Sequence, residues 1–390
     1  MTTFRSKLVV GMPIFLAALN MRAGIVLINP LIPILKSYFK LSNTEISLLA
    51  GIPLFCFAAT AILMSRLGRM GSSTRVIKFA LSALTIGLIA RAFTGLPGLY
   101  IFTFLIGGSI AIMNFEMPAW IKANAAKDVG FMTGTYSTLM GLTSGIAIAI
   151  SVPLAHLNGW SWKISMLPWM VIASVTTFYW YTRKNDDEIS AGIDSKPFWR
   201  TKTFQNPLAW AMVCYFGFQS FTYYSTATWL PTILTTKGFT LRDGALLVSI
   251  TGIIGSAIGL FAPHHISKYP DKRKILVFFS SLIVLGFVMV AIQTGPIIWF
   301  WLTLSNIGMS INFPTALMLS GTKTKSPEAT RNLSVMMQSA GYLIAAMGPG
   351  FLGTIFDVSK SWNWAIMGAV LIALLQVLIS YEVGKESYID

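Results

Sequence analysis

Long apolar runs separated by short polar loops dominate the chain. They recur near residues 8–35, 45–64, 76–95, 98–121, 131–155, 163–182, 207–233, 244–263, 275–294, 296–320, 333–356 and 363–381. Each matches the ~20 residues a helix needs to cross the hydrocarbon core of a bilayer. The pattern therefore predicts twelve membrane-spanning helices and an all-α membrane protein. Arg5 and Lys7 precede the first run, but it is too long for the apolar stretch of a secretory signal and has no clear small-residue cleavage site. It is read as a retained first helix.

Composition agrees. Of 390 residues, 54% are hydrophobic and only 11% charged, against about 25% charged in soluble domains. The net charge of +15 invites a nucleic-acid reading, but its distribution argues against one. With the N-terminus inside, most of the 29 Lys and Arg fall in loops on that side. This is the positive-inside bias, and it places both termini in the cytoplasm. The partners expected are a lipid bilayer and a small-molecule solute, with no nucleic acid, and the protein is expected to act as a monomer.

Enzymatic chemistry finds no support. Cys56 and Cys214 lie inside apolar runs, and His156, His264 and His265 sit at run ends without Cys/His ligand spacing, so neither a metal nor another cofactor is expected. No HExxH, GxSxG, Ser–His pair or paired acids occur, and there is no Gly-rich phosphate loop for an ATP-driven pump. No filter-like repeat suggests a channel. A secondary carrier remains.

Landmarks recur at an offset of about 200 residues. Phe39-Lys-Leu41 precedes the second span and Phe239-Thr-Leu241 the eighth. Ser109-Ile110, Asn114-Phe115 and Pro118 in span four resemble Ser310-Ile-Asn312-Phe313-Pro314 in span ten. Trp160-Ser-Trp162 opens span six, and Trp362-Asn-Trp364 opens span twelve. The longest polar stretch, with the acidic cluster Asp186, Asp187 and Glu188, lies between the halves. The chain thus divides into a six-helix bundle at 1–183, a cytoplasmic linker at 184–206 and a second six-helix bundle at 207–390. Parallel repeats of this kind build transporters that rock two halves around a central site.

The segment Ala61-Ile-Leu-Met-Ser65-Arg66-Leu-Gly68-Arg69 after span two resembles the major facilitator signature G-x-x-x-D-R-x-G-R, with Ala61 and Ser65 in place of its Gly and Asp. The corresponding loop after span eight ends in Asp271-Lys-Arg-Lys274. Within that superfamily the chain is similar to the cyanate/2-nitroimidazole transporter family. The matching pieces are Asn20-Met-Arg22, Met117-Pro-x-x-Ile-Lys122, Tyr215-Phe-Gly217 through Trp229-Leu-Pro231, Pro270-Asp-Lys-Arg-Lys274 and Gly348-Pro349. The resemblance implies two pseudo-symmetric bundles in a plasma (bacterial inner) membrane. It also implies a conformational role for Arg66, Gly68, Arg69, Asp271 and Arg273.

Two charges lie deep inside spans. A charge there costs at least ~2.5–3.5 kcal/mol and usually faces a cavity or a partner. Arg22 in span one offers a planar fork of donors to a carboxylate, a nitro group or a linear anion; a structural cation is the bland alternative. Glu116 in span four suits coupling to protons, since burial and a nearby cation move a carboxyl pKa in opposite directions. Whether the two pair is left open. In span seven, Gln219 and Tyr223 share a face with Tyr224 beside them, and the repeat offset puts Tyr223 opposite Arg22. The polar Ser220, Thr222, Ser225 and Thr226 suggest that this span is discontinuous, as in other carriers. Asn20, Asn114, Asn312, Gln338 and Tyr342 complete the expected solute-binding set; amides inside helices also serve as interhelical glue. Arg91, near the end of span three, is expected to snorkel to the interface. The reading is a carrier of a small anionic or nitro-bearing solute working by alternating access, with a proton-driven exporter of apolar or cationic drugs as the alternative.

Overall fold

The computed structural model describes residues 4–67, 73–124, 129–157, 162–183, 198–259, 261–325 and 327–389. The first crossing is built from three helices: α1 (Phe4–Asn20), α2 (Ala23–Val26) and α3 (Ile32–Phe39). Then come α4 (Asn43–Leu67), α5 (Ser73–Phe93), α6 (Gly95–Asn124), α7 (Val129–Ala155) and α8 (Leu167–Tyr181), followed by the short α9 (Lys202–Gln205). The second half contains α10 (Pro207–Thr235), α11 (Leu241–Gly259), the short α12 (Ala262–Ser267), α13 (Arg273–Ile292), α14 (Ile298–Thr322), α15 (Pro327–Ser359) and α16 (Trp362–Gly384). All twelve predicted runs coincide with helical crossings, and no strand occurs among the described residues. Eight crossings are long and apolar enough to span a membrane by length and composition alone. The linker expected at 184–206 lies largely outside the described residues; its described end carries α9.

The discontinuous span is the first, not the seventh. α10 runs unbroken from Pro207 to Thr235 because its hydroxyls bond back to the preceding turn. Ser225 Oγ donates to the Phe221 carbonyl (2.6 Å), Thr226 Oγ1 to Thr222 (2.7 Å) and Thr228 Oγ1 to Tyr224 (2.7 Å). Such back-bonding hides polar groups without opening the helix. Span one instead carries Gly24, Pro30 and Pro33, and prolines interrupt the hydrogen-bond ladder. Its helix stops at Asn20, restarts after Arg22, and passes through a 3₁₀ turn at Asn29–Leu31. Gly24 permits close approach to α6: a Cβ there would lie 3.3 Å from Ile106.

Two helix pairs join the halves, α4 with α15 and α7 with α11. Small residues let them meet. A Cβ on Gly51 would come within 3.1 Å of the Ala346 carbonyl, and Ser249 Oγ donates to the Gly145 carbonyl at 2.7 Å. At the end opposite the termini, Asp357 of α15 caps the start of α4. Its carboxylate accepts from the Thr44 N–H (3.2 Å), Thr44 Oγ1 (3.0 Å) and Asn43 Nδ2, while Lys36 Nζ donates to Asn43 Oδ1. Ser47 Oγ donates to the Pro349 carbonyl at 3.0 Å. A carboxylate at a helix start satisfies orphan N–H groups and complements the dipole. These bonds tie α4 to α15 at this end of the molecule.

Arg91 does not snorkel. It continues the buried row of Leu84 and Leu88 on α5 and is only 1% exposed. Its Nε, Nη1 and Nη2 have no hydrogen-bond partner among the described residues, and the same holds for the indole nitrogens of Trp162 and Trp169. An unpaired buried charge destabilises, because its desolvation is not offset by a partner, and a well-packed apolar residue in its place removes that cost. Arg91→Met, which keeps the aliphatic stem, is therefore expected to raise the melting temperature of detergent-purified protein. A fall would show that the guanidinium has a partner.

Candidate functional site

The break in span one brings Arg22 to the centre of the molecule. As the residue before α2 it has φ −125° and ψ −39°, and its side chain leaves the helical ladder. The side chain is deep in the protein and half-buried. Its Nη1 donates to the Tyr224 hydroxyl across the interface between the halves, at 2.5 Å. The guanidinium carbon lies 5.9 Å from the ring centroids of both Tyr224 and Phe313, a distance at which the ring faces attract a cation. The hydroxyls of Tyr136, Tyr223 and Tyr342 lie within electrostatic reach. Helices α7, α10, α14 and α15 thus each send an aromatic side chain toward one cation.

A continuous aromatic chain supports this arrangement. Tyr342 packs edge-on against Phe57 of α4 (5.2 Å) and Phe216 of α10 (5.1 Å), and Phe216 meets Phe313 at 5.6 Å. Tyr223 contacts Tyr224 edge-on at 5.1 Å. The repeat offset pointed to Tyr223 as the residue opposite Arg22, but Tyr224 makes the bond. Adjacent helical positions differ by about 100°, so an offset correct to one residue still selects the wrong face.

The other expected residues divide into two groups. Asn114 accepts from the Tyr136 hydroxyl at 3.3 Å and stands directly behind the cluster. Gln338 is half-buried one turn before Tyr342 on α15. Asn20, Gln219 and Asn312 have their polar atoms engaged elsewhere. Asn20 Nδ2 donates to Thr176 Oγ1 and the Leu16 carbonyl, both at 2.9 Å, tying α1 to α8. Gln219 Nε2 donates to the Met309 carbonyl (3.2 Å), and its Oε1 accepts from Ser220 Oγ (3.2 Å). Asn312 is fully buried: its Oδ1 accepts from the Tyr215 hydroxyl (2.8 Å) and its Nδ2 donates to Ser280 Oγ (3.2 Å). Glu116 is buried in α6, and no ion pair joins it to Arg22.

Tyr136 and Phe313 escaped the sequence reading. Tyr136 is the lone tyrosine of span five, and Phe313 sits inside the repeated landmark of span ten; neither signal says which way the side chain points. No group of His, Cys, Asp and Glu suited to a metal ion occurs among the described residues.

The family model for the Major Facilitator Superfamily matches residues 14–349. The chain belongs to that superfamily. It is therefore an integral membrane transporter of small molecules rather than an enzyme. Among its relatives is the 2-nitroimidazole transporter of Escherichia coli (strain K12), 28% identical over 99% of this chain and 98% of that one. The cyanate transport protein CynX of the same organism is 25% identical over 94% and 95%. A bacterial homologue of the human lysosomal transporter Spinster shares the fold, with a TM-score of 0.76 at 12% identity over 98% of this chain and 97% of that one.

Of the superfamily's signature, Gly68 and Arg69 lie outside the described residues, and Arg66 falls in the last turn of α4. In the other half Asp271 and Arg273 engage each other, with Nη2 2.6 Å from Oδ2, and Arg273 Nη1 donates to the Tyr381 hydroxyl at 3.1 Å. Hydrogen bonds from the Arg273 side chain and then its backbone push the Asp271 carboxyl down to about 2.

The buried amide of Asn312 provides a stability test. Asn312→Ala leaves the Tyr215 hydroxyl without its acceptor, and stranding a buried polar group costs about 1–3 kcal/mol. A clear drop in melting temperature is expected. An unchanged value would remove Asn312 from the scaffold.

Proposed function

We propose that the protein carries a small anion, or a nitro-bearing solute of similar charge distribution, with its negative end held by Arg22. One observation supports this above all: the polar groups acting on Arg22 are tyrosine hydroxyls, with no carboxylate in ion-pairing reach among the described residues. A deep guanidinium without a counter-ion among the described residues favours an anion, and the aromatic surround suits a planar one. Relatives named for 2-nitroimidazole and cyanate concern solutes of this kind.

In this reading residues 1–183 and 207–390 rock about the site while 184–206 links them, as in carriers built from repeats. The positive-inside bias puts the termini in the cytoplasm. The end where Asp357 bonds to the start of α4 then faces outward. Glu116, the one carboxylate deep in a span, is assigned the coupling proton.

The first test is ligand-dependent thermal stability with cyanate, nitrate and small carboxylates. A ligand at 100 times its dissociation constant stabilises by about 2.7 kcal/mol. Wild type should respond to an anion, folded Arg22→Ala should not, and Arg22→Lys should bind roughly 10-fold more weakly or worse, since hydrogen bonds to charged groups contribute about 1.5–3 kcal/mol. Equal responses in all three would make Arg22 structural and bring the drug-exporter reading forward. Glu116→Gln in liposomes should keep solute exchange but lose accumulation driven by a proton gradient; retained accumulation would exclude Glu116 as the coupling group.

A further inference from the structure

A cleft lies beside Tyr223, the neighbour of Arg22's partner Tyr224. Helices α7, α10, α11 and α14 enclose it, and α10 and α14 are the same helices that send Tyr224 and Phe313 to the guanidinium. Tyr223 belongs to both places: its ring lines this cleft, and it touches Tyr224 at 5.1 Å within electrostatic reach of Arg22.

The chemistry of the cleft differs from that of the cluster. None of its lining residues is charged, and Tyr223 is the only aromatic among them. A helical hydroxyl in an apolar setting normally bonds to the preceding turn, and Thr226 does so. Ser249 is likewise spent on the Gly145 carbonyl. Ser144, Ser256 and Ser310 are not: they line the cleft and make no hydrogen bond among the described residues. Asn306, which also lines the cleft, uses its amide nitrogen on Thr251 Oγ1 and the Leu302 carbonyl, and its side-chain oxygen makes no hydrogen bond among the described residues. Gly252 keeps the cleft open, since a Cβ there would meet nothing within 4 Å.

A pocket with both donors and acceptors and no charge does not attract a second ion. It suits an uncharged hydrogen-bonding group. We infer that this cleft is the far half of the solute site. It receives the hydroxyl or amide end of an organic anion whose charged end lies on Arg22 and whose flat body passes Tyr223. This inference rests on the Arg22 reading above and narrows its solute class. A three-atom anion such as cyanate would fill only the Arg22 end.

The experiment measures affinities by ligand-dependent thermal shift on the full-length protein in detergent. The probes are acetate as the bare head group, benzoate and cinnamate as flat bodies, and 4-hydroxybenzoate and 4-hydroxycinnamate as the complete type at two lengths. Wild type should bind at least one hydroxylated probe about 10-fold more tightly than its unhydroxylated partner. A binding site arranged to hydrogen-bond a hydroxyl discriminates strongly against the analogue that lacks it. Gly252→Leu, which fills open space, should abolish that preference and leave acetate unchanged. The double variant Ser256→Ala/Ser310→Ala should do the same without adding bulk, so a misfolded Gly252→Leu leaves the test intact. If neither hydroxylated probe is preferred, or if the preference survives both variants, the cleft is not part of the site while the Arg22 reading stands. If acetate and the rest fail to bind wild type, or bind Arg22→Ala equally, the Arg22 reading falls and takes this inference with it.

Discussion

A guanidinium in the apolar middle of a membrane protein must be surrounded by groups that compensate for lost water, and most of the arrangement at the centre of this molecule follows from that demand. Among the described residues, the hydrogen bond to the Tyr224 hydroxyl is the only one the Arg22 guanidinium makes, and it crosses from one half of the protein to the other. Ring faces and hydroxyls supply the remaining electrostatic compensation. Tyrosines stabilise a cation without neutralising it. A carboxylate would have formed a closed pair, whereas this surround leaves a positive potential for something else to meet.

The broken first crossing makes that placement possible. A side chain on a continuous helix is committed to one face, but the interruption at Met21 and Arg22 takes Arg22 out of the regular helix. The cost is confined to one crossing, because α10 on the other side remains intact and rigid. The aromatic chain from Phe57 through Tyr342 and Phe216 to Phe313 ties both halves to the same spot. Asp357 of α15 bonds to the start of α4, and Tyr342 of α15 packs on Phe57 of α4, so the aromatic chain and these hydrogen bonds lie along the same α4–α15 seam.

The same need for compensation explains what the sequence showed and what it hid. Arg22 and Glu116 stood out because charge in an apolar run is rare, and that signal needs no neighbours. Gln219 and Asn312 looked equally polar, yet their atoms are taken up by Met309, Tyr215 and Ser280 in the scaffold. Arg91 carries the same charge as Arg22 and lies at a helix end, where escape to water was the simpler expectation. The buried row it shares with Leu84 and Leu88 turns it inward instead. The break was expected in span seven from its hydroxyls, although the prolines of span one were the stronger mechanical signal.

The sequence by itself determined the helical crossings and their places along the chain. Each depends on the local preference of a run of residues for hydrocarbon or water, which is fixed by composition and length. It also marked Arg22 as a charge out of place. Only the tertiary structure decided that Tyr224 rather than Tyr223 meets it, that Tyr136 and Phe313 join the cluster, and that a hydroxyl-lined cleft lies beyond Tyr223. Those outcomes depend on the rotation and axial shift of helices far apart in sequence. A difference of one residue turns a side chain by about 100°, and packing between the two halves sets that angle.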